Sequence, residues 1–109
     1  MNIQITARKF RAKDSLKDFI RQEIKSLEKF NDQIIDVSVV LSYTHLKDSI
    51  KDVEIVLQIP GKVLTVNESS DEFEKSVSGA VEKLSRQLKK FKTKRIVRKK
   101  IEVDNTDED

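Results

Sequence analysis

The stretch IIDVSVVLSYTHLKDSIKDVEIVLQIPGKVLTVN, residues 34–67, has the two-residue hydrophobic period of half-buried β-strands. In residues 34–43, Ile35, Val37, Val39, Leu41 and Tyr43 point one way, while Asp36, Ser38 and Ser42 point the other. Residues 52–59 repeat the pattern, with Val53, Ile55, Leu57 and Ile59 inward and Asp52, Glu54 and Gln58 outward. THLKDS, residues 44–49, is a polar connector between them. Pro60 and Gly61 suit the two central positions of a type II turn, because Pro presets φ and Gly accepts φ > 0. Residues 62–67 then form a short strand. The reading is three consecutive antiparallel strands sharing one apolar face.

Outward from this core the elements multiply. Before it, Ile3, Ile5 and Ala7 alternate as another short half-buried strand. A helix follows, in which Leu16, Phe19, Ile20, Ile24, Leu27 and Phe30 recur at three- and four-residue steps and which ends near FND at residues 30–32. Asp14 or Ser15 offers its N-cap, Ser15 having Asp18 three residues on. After the strands, Phe73, Val77, Ala80, Val81, Leu84, Leu88 and Phe91 form an unbroken stripe, with Asp71 and Glu74 placed as a capping box. That helix is expected from about residue 71 to the mid-90s. The fold class is α+β: order βαβββα, a four-stranded sheet with both helices packed on one face, since a single apolar sheet face needs a cover. Residues 1–95 form the domain, and 96–109 a basic-then-acidic tail expected to be flexible.

Composition bounds the function. A chain of 109 residues is one domain with a modest core. It has no Cys, which excludes disulfides and thiolate metal sites and fits a reducing cytoplasm. The start, MNIQITARKF, lacks the apolar run of a signal peptide, and no window approaches the ~18 apolar residues of a membrane span. A soluble cytoplasmic protein is expected, with no membrane partner.

Charge is strongly segregated. Residues 1–82 hold 12 Lys and Arg against 14 Asp and Glu, residues 83–100 hold 10 against none, and residues 101–109 hold none against 5. Helical spacing sets Lys83, Arg86, Lys90 and Lys94 in one exposed row, with Gln87 beside them and Glu82 offering local relief to Arg86. A solvated face normally mixes signs, so a row without anions points to a polyanion, of which nucleic acid is the commonest. Lys17, Arg21 and Lys25 form a second set on the first helix, preceded by Arg8, Lys9, Arg11 and Lys13. If the helices share a sheet face, a groove between them would be lined by cations from both. Asp18, Glu23 and Glu28 on the first helix weaken that set. The acidic end IEVDNTDED lacks periodicity and is expected to be mobile, either a solubilising tail or a shield for the cationic block.

Catalysis finds little support. His45 is alone in a connector, and the two glycines, Gly61 in a turn and Gly79 in a helix, make no phosphate-cradling loop. Carboxylates are scattered on outward faces. The expectation is a binding protein, not an enzyme, with no cofactor, metal or small-molecule substrate.

The run EKLSRQLKKFKTK, residues 82–94, carries a K-L-x-R-Q-L-x-K pattern through Lys83, Leu84, Arg86, Gln87, Leu88 and Lys90, with Lys94 one turn on. Together with MNIQITAR at the start, SLEKF ending the first helix and the turn PGKVL, it resembles the ribosome hibernation-promoting factor family, also called ribosome-associated inhibitors, over residues 1 to about 95. The resemblance implies a translation inhibitor that binds rRNA of the small ribosomal subunit in the tRNA and mRNA channel, silencing ribosomes under stress or in stationary phase. It implies rRNA contacts by Lys83, Arg86, Lys90 and Lys94, with Lys89 adjacent, and by basic residues on both helices. Arg21, Lys25, Arg8 and Arg11 complete the candidate RNA-binding set. Relatives often carry cations where this chain has Glu23 and Ser26. Longer relatives have a second domain that pairs ribosomes, so the chain resembles the short type, for which a small ribosome-dimerising partner protein is a candidate. The alternatives are a general structured-RNA-binding module without ribosome specificity and an adaptor docking on an acidic protein surface.

Overall fold

A computed structural model describes the backbone of residues 1–43 and 50–100 and the side chains of residues 1–43 and 50–90. His45, the acidic end and the side chains of Phe91 and Lys94 lie outside the described residues. The elements are β1 (Asn2–Ala7), α1 (Asp14–Lys25) continued by a 3₁₀ turn (Ser26–Lys29), β2 (Asp36–Tyr43), β3 (Lys51–Ile59), β4 (Lys62–Ser70) and α2 (Phe73–Lys100). This is the expected βαβββα order in one four-stranded sheet, β1-β2-β3-β4. β1 pairs parallel with β2, and the other two pairs are antiparallel.

Register converts sequence alternation into a continuous apolar face. Ile5, Val39, Ile55 and Val66 align across the four strands, as do Ile3, Val37, Leu57 and Leu64. Against this face lie Ile20, Ile24 and Leu27 from the first helical segment and Val77, Ala80, Leu84 and Leu88 from α2, all fully buried. Each of these Ile, Leu and Val side chains contributes about 1.5–3 kcal/mol by leaving water, and the Ala80 methyl less. A third row, Ala7, Leu41 and Val53, ends not on an apolar residue but on Glu68 of the edge strand β4.

Several local expectations change. Ile34 is buried at 6% exposure while Ile35 is 44% exposed, because β2 begins only at Asp36 and strand alternation does not extend back to Ile35. The backbone of Ile35 instead links two strands: its N–H donates to Gln58 O at 2.8 Å and its carbonyl accepts from Asn2 N at 3.0 Å. β4 runs three residues beyond Asn67, since Ser70 still pairs with Lys51 and the Ser69 hydroxyl donates to the Asp52 carboxylate. Backbone pairing extends this strand where apolar residues give out.

Helix starts differ as well. The N-cap of α1 is Lys13, without a side-chain cap bond; Asp14 and Ser15 are already helical, with Asp14 acidic in the first turn. Glu72 precedes the first residue of α2; its carbonyl accepts from Ser76 N at 3.1 Å and its N–H donates to Ser70 Oγ at 3.2 Å. The Asp71 carboxylate faces Lys75 at 3.3 Å. α2 reaches Lys100, beyond the expected mid-90s. The Pro60-Gly61 turn is as read: Gly61 has φ +78, the value a type II turn demands at its third position.

Candidate nucleic-acid interface

α2 is held to the rest of the fold near its start and again at Leu88 and Lys89, so the cations between these points stand on a fixed rod. Near its start the buried Ser76 hydroxyl donates to Lys51 O at 2.8 Å and lies 2.8 Å from Ser70 Oγ, joining α2 to β3 and β4. Periodicity gave no sign of this polar anchor, because a hydroxyl inside an apolar stripe reads as an interruption until its acceptor is known. Phe10 stacks on Phe73 with centroids 5.2 Å apart and meets Tyr43 edge-on at 5.3 Å. Farther along, the Lys89 ammonium sits 5.2 Å from the centre of the Phe30 ring, which Lys29 approaches to 5.4 Å.

The described members of the expected row, Lys83, Arg86 and Lys90, are exposed, but they have different surroundings. Lys83 Nζ lies 2.6 Å from Glu68 Oε1 and donates to Asn67 O at 3.1 Å, so this cation is drawn to the β4 edge. Arg86 is 71% exposed and pairs at 2.7 Å with Glu82, the local relief anticipated from spacing. Lys89 and Lys90 are exposed. Lys90 is seven residues from Lys83 and so shares its side of the helix to within about 20°, whereas Lys89 is turned toward Phe30 and the end of the first helical segment.

The second set is brought to the first only in part. Arg21 is exposed and pairs with Asp18 of its own helix at 3.6 Å, and Lys25 is exposed in the last turn, where it complements the helix dipole. Arg8 and Arg11 are exposed beside the start of α2: Arg8 N donates to Leu41 O at 2.9 Å, and the Phe10 stack holds the intervening loop. Between them Lys9 adopts φ 64, an uncommon conformation for a residue with a Cβ. From Phe73 to Lys89 the helix rises about 24 Å, so these arginines and the Lys89–Lys90 end form two stations, not one compact patch. Among the described residues no group of three or more His, Cys, Asp or Glu side chains could hold a metal, and no helix is long and apolar enough to cross a membrane.

Residues 3–96, spanning β1 through most of α2, match the family described as Sigma 54 modulation protein / S30EA ribosomal protein. The chain belongs to this family. It is the family of the ribosome hibernation promoting factors that the sequence resembles. The one from Azotobacter vinelandii is 30% identical over 98 residues, covering 90% of this chain and 89% of that protein. The one from Escherichia coli (strain K12) is 28% identical over 97 residues, covering 86% and 96%. A Deinococcus radiodurans ribosome hibernation promotion factor is 26% identical over 93 residues, 84% of this chain; those residues span about half of that relative, 49%. The Thermus thermophilus Protein Y N-terminal domain superposes with a TM-score of 0.76 at 26% identity, covering 84% of this chain and 99% of that domain. A ribosomal subunit interface protein from Coxiella burnetii shares the fold, with a TM-score of 0.78 at 24% identity and coverage of 85% and 99%.

Within this S30EA-family chain, the residue that sequence reading missed is Glu68. Two signals bore on it. Glu68 falls on the inward phase of β4 after Leu64 and Val66, and Gly79 occupies a helix interior, where glycine costs about 1 kcal/mol against alanine and marks close approach. Glu68 and Gly79 are the two sides of that approach: a Cβ on Gly79 would lie 2.9 Å from Glu68 Cγ.

Proposed function

We propose that this protein is a ribosome hibernation factor that binds rRNA of the small ribosomal subunit in the tRNA and mRNA channel and silences ribosomes under stress or in stationary phase. The observation that carries this reading is the family match over residues 3–96, which includes the cationic half of α2 as far as residue 96. Names of relatives support the ribosome as partner, and the exposed cations supply the chemistry, since phosphates are neutralised by Lys and Arg from a surface that stays in water.

In this reading Arg86, Lys89 and Lys90 meet rRNA phosphates, with Lys83 and Lys94 on the same helix, while Arg21, Lys25, Arg8 and Arg11 extend the footprint. The domain, residues 1–95, acts by occupancy: a filled channel admits neither tRNA nor message, and no bond is made or broken. The site of action is the cytoplasm, and a small ribosome-dimerising protein is a candidate second partner.

The test is cell-free translation with added protein, combined with sedimentation of ribosomes. Inhibition relieved by excess initiator tRNA and messenger, with protein comigrating with small subunits and rRNA left intact, is the expected result. Accumulating RNA fragments, inhibition indifferent to those competitors, or equal binding to any duplex RNA would refute occupancy of this channel.

A further inference from the structure

Glu68 stands where the apolar rows of the sheet would place a fourth hydrophobic residue, and among the described residues its carboxylate forms an ion pair with Lys83. Its Oε1 lies 2.6 Å from Lys83 Nζ, a distance at which an ammonium also meets a phosphate oxygen. Asn67 O holds the same ammonium at 3.1 Å, so Lys83 has two of its three donors engaged at the β4 edge. The carboxylate stem runs along the helix where Gly79 has no side chain, with Cγ, Cδ and Oε2 all within 3.0 Å of where a Cβ would be. Glu68 is 30% exposed and Lys83 49%, so the pair lies at the surface within reach of a large anion.

We propose that Glu68 is an internal stand-in for an rRNA phosphate: in the free protein it occupies Lys83, and a phosphate of the ribosomal site must displace it before the full charge of the α2 row is delivered. This rests on the reading that α2 meets rRNA. Three features favour displacement over a permanent clamp. A lysine held at a carbonyl keeps its place when the carboxylate leaves, because Asn67 O belongs to the backbone. The Gly79 notch seats the carboxylate beside the helix, with Oε2 2.9 Å from where a Cβ would be, and leaves its outer side open to water at 30% exposure. Finally, a lysine–carboxylate pair that stays partly open to water, at 49% and 30% exposure, gains less than a buried one and yields to a polyanion that brings several phosphates. The row is thereby weakened toward any single stray anion, and contact is favoured with a surface that presents several phosphates together.

Affinity of wild type, Glu68→Gln and Gly79→Ala for purified small ribosomal subunits and for a random duplex RNA, measured across a salt series, tests this. Glu68→Gln should bind small subunits about three- to tenfold more tightly near 0.1 M salt with the log–log salt slope unchanged, because the same phosphate reaches Lys83 in both proteins and only the competing carboxylate is gone. Affinity for duplex RNA should rise at least as much. Gly79→Ala, whose Cβ evicts the glutamate stem, should shift both affinities in the same direction. A folded Glu68→Gln protein with unchanged or weaker affinity for both RNAs would overturn the proposal and leave Glu68 as a clamp orienting Lys83. Failure of the ribosomal reading looks different: wild type would not prefer small subunits over duplex, while Glu68→Gln would still tighten the duplex complex.

Discussion

α1 and α2 cover the same sheet face and bury stripes of the same kind, yet their solvent sides differ. On α1, Asp14, Asp18 and Glu23 are interleaved with Lys17, Arg21 and Lys25, and Arg21 is paired within its own helix. On α2 the acids are spent by Glu82, and every charged residue from 83 to 100 is a cation. Burial therefore does not explain the difference, since both stripes are fully buried at their centres. Like charges three or four residues apart cost an isolated helix about 0.2–0.5 kcal/mol per pair, a strain that a partner's phosphates would relieve.

The largest expected effect tests the structural equivalence of the helices. Ile24→Ala and Leu84→Ala each remove a side chain with no solvent exposure, and each should cost about 2–5 kcal/mol in urea unfolding. A loss confined to one of them would show that the two helices do not share a core. Next in size is the contrast in charge. Replacing Arg86 and Lys90 together with Ala should lower affinity for small subunits by about tenfold or more at ~0.1 M salt and flatten the salt slope by about 1.4–1.8. The matched pair of changes on α1, Arg21→Ala with Lys25→Ala, should cost less than about threefold, because Asp14, Asp18 and Glu23 are interleaved with these cations and repel the same phosphates. Equal losses would move the interface into the space between the helices.

The smallest effect sharpens the same contrast at one pair. Glu82→Gln removes the partner 2.7 Å from Arg86 and should cost only about 0.3–0.5 kcal/mol of stability at low salt, vanishing in thermal melts at high salt. Asp18→Asn on α1 should behave alike in stability. The α2 change should tighten RNA binding more than the α1 change, since Arg86 lies in the acid-free row while Arg21 only extends the footprint among the acids of α1.

Much of the fold was legible because its signals are local. Val53, Ile55, Leu57 and Ile59 alternate within one strand, and Gly61 answers a φ requirement within one turn. The cationic row of α2 was legible for the same reason, as spacing along one helix decides which residues share a side. Errors gathered where elements begin. Lys13, not Asp14 or Ser15, caps α1, and Ile34, not Ile35, enters the core, because the entry angle of a chain is set by what it packs against.

The sequence by itself determined the period of every element, the hairpin at Pro60-Gly61, the helix stripes and the cationic run after Glu82, all properties of neighbours along one chain. Only the tertiary structure decided that β1 lies parallel beside β2, that Arg8 and Arg11 stand by the start of α2, and that Lys83 meets Glu68. Lys83 is one of ten cations in its run, and Glu68 one of fourteen acids before it. Their pairing follows from the register of β4 on β3 and the seat of α2 against Gly79, and such long-range geometry exists only once the core has closed.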